Sequence, residues 1–142
     1  MSQRSGHHFE TRRLPTEPDA VAPDGAAVRL LGALGGGSMA TFEVAPGQVT
    51  RCVQHRRVEE IWLFLSGRGE IWRRQAGHEE LTAVESGVCI TIPVGTRFQV
   101  RAAADAPLVA VAVTMPPWPG DDEAMPAEGP WIATRAPRGD DA

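Results

Sequence analysis

A chain of 142 residues, 42% of them hydrophobic, is one domain by length and can bury a single core without disulfides or structural metal. Its formal charge of -4 at pH 7 supplies no basic stripe for nucleic acid, and no apolar run approaches the roughly 20 residues of a membrane helix, so neither partner is expected. Lys, Tyr and Asn are absent, which excludes a lysine Schiff base, a P-loop lysine and a tyrosine general acid; all basic side chains except His are Arg.

Residues 1–25 are polar and broken by Pro15, Pro18 and Pro23, and read as an arm. The adjacent His7 and His8 at its tip lack further ligands for a metal. No apolar centre follows the first Arg, so the start is no secretory signal, and a cytoplasmic protein is expected. Residues 27–34 are apolar and fit a strand or a short helix, because periodicity alone does not separate the two. Gly35, Gly36 and Gly37 then make a hairpin loop. Residues 39–44 alternate, with Ala40, Phe42 and Val44 on one face and Met39, Thr41 and Glu43 on the other, and Glu43 is expected in solvent.

Residues 49–55 and 61–65 read as two strands with polar residues at the bend. If they pair as a hairpin, His55 and Glu60 come together. Strands follow at 68–74, 81–84, 87–93, 98–101 and 108–114, with turns at 75–78 and 94–96 and an exposed His78. About eight or nine short strands with Gly and Pro punctuation, and no long amphipathic helix, indicate an all-β sandwich or barrel. Cys52 and Cys89 form no CxxC pair and are expected as two buried thiols. Residues 116–142 are rich in Pro and acidic side chains and cannot supply a core strand. Trp118 and Trp131 should pack down from this tail, either against the outside of the barrel or, for one of them, over a pocket mouth. From Ala136 onwards disorder is expected.

Gly47, His55, Glu60 and Gly67 match the spacing of the first cupin motif, G(x)5HxH(x)3,4E(x)6G, with Val53 where the first His belongs. Gly87, Pro93 and Gly95 match the second, G(x)5PxG(x)2H(x)3N, with Phe98 in place of its His and Ala102 in place of its Asn. Residues 28–114 thus resemble a small single-domain cupin whose metal-binding motifs are degenerate. The resemblance implies a double-stranded β-helix, or jelly-roll, barrel over residues 26–115, between the arm and the tail, with a pocket at one end. It also implies that Glu60 points inwards. Alternation then carries Trp62 and Phe64 inwards with it and turns Ile61, Leu63 and Leu65 out. Phe98 and Val100 share the pocket face, with Gln54 and Trp118 as further lining. A second register, with three residues between the motif's second His and its Glu, would instead place Gln54 and Arg56 beside Glu60 and turn His55 outwards.

Three functions compete. The favoured one is a cupin that binds a small organic ligand, sugar or carboxylate-like, without a full metal site or any cofactor, using His55 and Glu60 as acid and base. The second, implied by the resemblance, is a dioxygenase or sugar isomerase whose divergent set of ligands to a divalent transition metal includes His55 and Glu60, with Gln54 or Glu43 as weak extras. The third is a non-catalytic interaction cupin. The resemblance also implies a homodimer, formed through edge strands near the N-terminal arm.

Overall fold

The computed structural model describes residues 8–134. The chain runs through β1 (Ala20–Val21), β2 (Ala27–Leu34), β3 (Gly37–Val44), β4 (Val53–His55), β5 (Glu59–Ser66), β6 (Arg68–Gln75), β7 (His78–Glu85), β8 (Cys89–Ile92), β9 (Arg97–Ala102), β10 (Leu108–Met115) and β11 (Ala124–Pro126). One 3-10 turn, Asp121–Glu123, precedes β11. The strands form two antiparallel sheets, one ordered β1-β2-β3-β10-β5-β8 and the other β11-β4-β9-β6-β7. Packed face to face, they make a jelly-roll barrel. Residues 27–34 are therefore strand, not helix, because the run pairs along β3 from Ala27 to Leu34.

Alternation explains the core. Along β10 Leu108, Ala110, Ala112 and Thr114 turn inwards, and along β5 Glu60, Trp62 and Phe64 do the same. Ala110 lies opposite Phe42 and Ala112 opposite Trp62, so small inward residues on the central strand make room for large rings on its neighbours. Gly67 ends β5 at φ +80, and a Cβ there would overlap the carbonyl oxygen of Pro107. Only glycine fits this turn.

Four expectations need correction. β4 and β5 are not a hairpin: β4 pairs with β9 and β11 in one sheet, while β5 pairs with β10 and β8 in the other. Of residues 49–55 only Val53–His55 is strand, Val49 making an isolated bridge to Arg101. Cys52 is buried as expected, but Cys89 is exposed on the outer face of β8. The arm and the tail are not separate from the barrel, since β1 extends one sheet and β11 the other. His8 is exposed, whereas His7 and the segment from Ala136 lie outside the described residues.

Candidate functional site

His55 ends β4 in one sheet and Glu60 lies second in β5 of the other, so the pair meets across the barrel. The turn between them is held from outside by Glu123. Its carboxylate accepts from the backbone N–H groups of Arg57 and Val58, and its carbonyl accepts from the N–H of Arg56. Burial pushes the Glu123 carboxyl up, but these backbone donors, with the charges of His55 and Arg57, outweigh it and leave the group below the ordinary glutamate range. That turn fixes where the next two side chains point.

His55 Nδ1 lies 3.0 Å from Glu60 Oε2. The approach is close enough for an ion pair but lacks hydrogen-bond alignment, so Nδ1 is buried without a hydrogen-bond partner. The other carboxylate oxygen of Glu60 accepts a 2.7 Å hydrogen bond from Trp62 Nε1. Phe98 and Trp118 make T-shaped pairs with the imidazole, with centroids 5.2 and 5.1 Å away. Trp118 has its own indole N–H buried and unpartnered. Of the tail tryptophans, Trp118 lines the cavity. Trp131 packs outside, with its ring 4.1 Å from the Arg101 guanidinium carbon.

A third ionisable group shares this space. Asp24, in the turn between β1 and β2, accepts a 3.0 Å bond from the Ala26 N–H. Burial pushes its carboxyl up to about 6; the Ala26 N–H and His55 pull it down, while Glu60 pushes the same way as burial. Neither motif includes this residue. The sequence signal that marks it is the turn Pro23-Asp24-Gly25, a type of turn whose acid bonds its own backbone.

Asp24, His55, Glu60, Trp62, Phe98 and Trp118 line one cavity, with Phe42, Thr114 and aliphatic side chains completing the wall. The open space is about 40 Å³, room for about three waters. Phe64 and Val100 belong instead to a deeper void of about 10 Å³, which Asp24 and Trp62 also border. Gln54 is not in the cavity: it is half-buried on the strand between β9 and β11. Arg56 is exposed and donates to the Asp122 carbonyl, which rules out the register with Gln54 and Arg56 inside. Glu43 is half-buried on β3 and bonded to Arg29 at 3.1 Å, away from the cavity.

The four positions at which the motifs place metal ligands hold Val53, His55, Glu60 and Phe98. Val53 and Phe98 are cross-strand partners and both face the cavity, so carbon stands where two donors would be needed. Among the described residues no group of three or more His, Cys, Asp or Glu side chains is placed to hold a metal ion. The residues present do not fit a resident divalent metal.

An antiparallel jelly roll that encloses a small pocket, with an inward Glu near the start of β5, defines a class of barrel proteins. The match to the cupin domain model over residues 40–114, more than half of the chain, makes the chain a member of the cupin family. Among curated proteins none matches it. Among solved structures it is similar to the Drosophila melanogaster CENP-C cupin domain, at 19% identity and TM-score 0.58, covering 64% of this chain and 70% of that one. It is also similar to an oxalate oxidase, at 22% identity and TM-score 0.60, covering 72% and 57%. A third is the Bacillus subtilis oxalate decarboxylase, described with Mn(II) centres, at 20% identity and TM-score 0.59, covering 69% and 27%. The chain thus spans a little over half of the oxidase and about a quarter of the decarboxylase, and at these identities the likeness is one of fold. No helix among the described residues is long and apolar enough to cross a membrane.

Proposed function

We propose that this cupin binds a small organic molecule in the cavity beneath Trp118 and that His55 and Glu60 form its polar, proton-exchanging contact. The observation that carries the reading is the buried His55–Glu60 pair, Nδ1 to Oε2 3.0 Å, facing a cavity whose wall is largely aromatic and aliphatic. The buried indole N–H of Trp118 in the same wall has no partner, and such a donor is costly unless a ligand or water completes it. Trp62 holds one oxygen of Glu60, which leaves the other free to take or give the proton at His55. The metal-dependent alternative needs donors at Val53 and Phe98 that those side chains lack.

The test is a screen of small organic molecules against the full chain, read by thermal shift and by the indole signals of Trp62 and Trp118. Glu60→Gln keeps an acceptor for Trp62 and should weaken any hit about tenfold with the fold intact. Unchanged affinity would remove Glu60 from the site. Elemental analysis after loading with iron, zinc, manganese or nickel checks the alternative. Near-stoichiometric metal that is lost in His55→Ala would overturn the metal-free reading.

A further inference from the structure

Given a ligand in this cavity, as proposed above, its charge follows from the walls. Three ionisable side chains face the space: Asp24 from the β1–β2 turn, His55 from the end of β4 and Glu60 from the start of β5. Among the described residues the other strands contribute carbon and the hydroxyl of Thr114, and no arginine lines the cavity. With both acids ionised the site carries one net negative charge when His55 is protonated and two when it is neutral. Glu123 reaches His55 electrostatically from outside, but its carboxylate is taken up by the turn and by Arg57, 3.6 Å away. Nothing in the wall compensates the negative charge fully.

The remaining surface is aromatic. Phe42 stacks on Trp62 at 5.5 Å, Trp62 and Phe98 make a T-shaped pair at 5.8 Å, and Trp118 lines the same space. Acids set in a wall of rings and aliphatic carbon, away from bulk water, favour positive charge. A carboxylate would be a third acid answered by one imidazole in a medium of low dielectric constant. A sugar would need more hydroxyl partners than this wall offers and far more than about 40 Å³ of space.

We propose that the cavity takes a small organic cation, an alkylammonium of a few carbon atoms, seated against the aromatic walls with its charge towards Asp24 and Glu60. The unpartnered indole N–H of Trp118 would serve a hydroxyl or carbonyl carried on the same molecule.

A matched series tests it: propylammonium, propanol and propionate, titrated into the isotopically labelled full chain at neutral pH and fixed ionic strength. The readout is the set of four indole N–H signals. Trp62 and Trp118 border the cavity, whereas Trp72, bonded to Glu79, and Trp131, over Arg101, lie outside it. Propylammonium should shift Trp62 and Trp118 with an affinity at least about tenfold above that of propanol, and propionate should shift neither. Asp24→Asn keeps the acceptor for the Ala26 N–H and should cut the ammonium affinity about tenfold without changing that of propanol. Propanol or propionate binding tightest at Trp62 and Trp118 would overturn the cation and leave the ligand-binding cavity standing. An ammonium response at Trp72 or Trp131 alone would be surface binding and would also overturn it. Silence of Trp62 and Trp118 towards all three compounds would overturn both readings.

Discussion

Asp24 shows what burial does to a single acid. Its carboxyl is held at about 6, above its unperturbed 3.8, so the folded chain binds this proton more tightly than the unfolded chain does. The associated stability is fully present below the unfolded value and is lost as pH rises through about 6. The shift corresponds to about 3 kcal/mol of folding stability forfeited at neutral pH, as an upper bound. Asp24→Asn removes the charge and keeps the hydrogen bond to Ala26, so it should raise the melting temperature at pH 7 and have little effect near pH 4. Melting curves of both proteins from pH 4 to 7.5 check the sign. A gap that is constant across that range would show that the charge of Asp24 is not what burial penalises. Asp24 was hard to recognise beforehand because the cupin motifs begin later, at Gly47, and its neighbours read as an arm. Its importance arises from contacts with Glu60 and His55, more than thirty residues away in sequence, which local pattern does not encode.

At the scale of elements, strand positions were legible because period-two alternation is a local property, and β5 and β10 carry it along their whole length. Strand pairing was not. The turn at residues 56–58 looks like a hairpin bend, but it carries the chain from one sheet to the other. Glu123 makes that crossing possible by binding the turn's backbone N–H groups from the tail, a partner 65 residues from Val58. Glu123→Ala should therefore cost about 2 kcal/mol in urea unfolding, with Glu123→Gln recovering part of it, since one buried and one part-buried donor lose their acceptor in the first variant alone. The ionised carboxylate stabilises the fold above the ordinary glutamate range, and this contribution fades as pH falls through its lowered value. An Ala variant as stable as the parent would mean that water satisfies the turn equally well. At the other end of β5, Gly67→Val should damage folding, because the added side chain meets Pro107 and Leu108 at a positive φ. Soluble yield and the thermal midpoint measure it, and parental values for both would contradict the turn geometry.

For the whole molecule, one sheet face is apolar where an antiparallel sheet of this kind is ordinarily polar. The inner face of β5 is core, yet Ile61, Leu63 and Leu65 on its outer face are 44%, 40% and 46% exposed. Ile61 lies beside Val113 and Leu63 beside Val111 on β10, and Met39 of β3 borders Val113 from the far side. The patch therefore crosses three neighbouring strands, whereas the family resemblance implies a homodimer formed through edge strands near the arm. A two-fold contact of the sheet face would set this apolar surface on its own copy. We expect light scattering to give twice the 15.2 kDa of the chain at micromolar concentration. Leu63→Glu should yield a folded monomer, because two carboxylates would then meet at the centre of the contact. The cavity lies on the inner side of the same sheet, so ligand binding in that monomer should persist. A wild-type chain that is already monomeric would remove the sheet face as a self-association surface, and a Leu63→Glu dimer would return the contact to the edges.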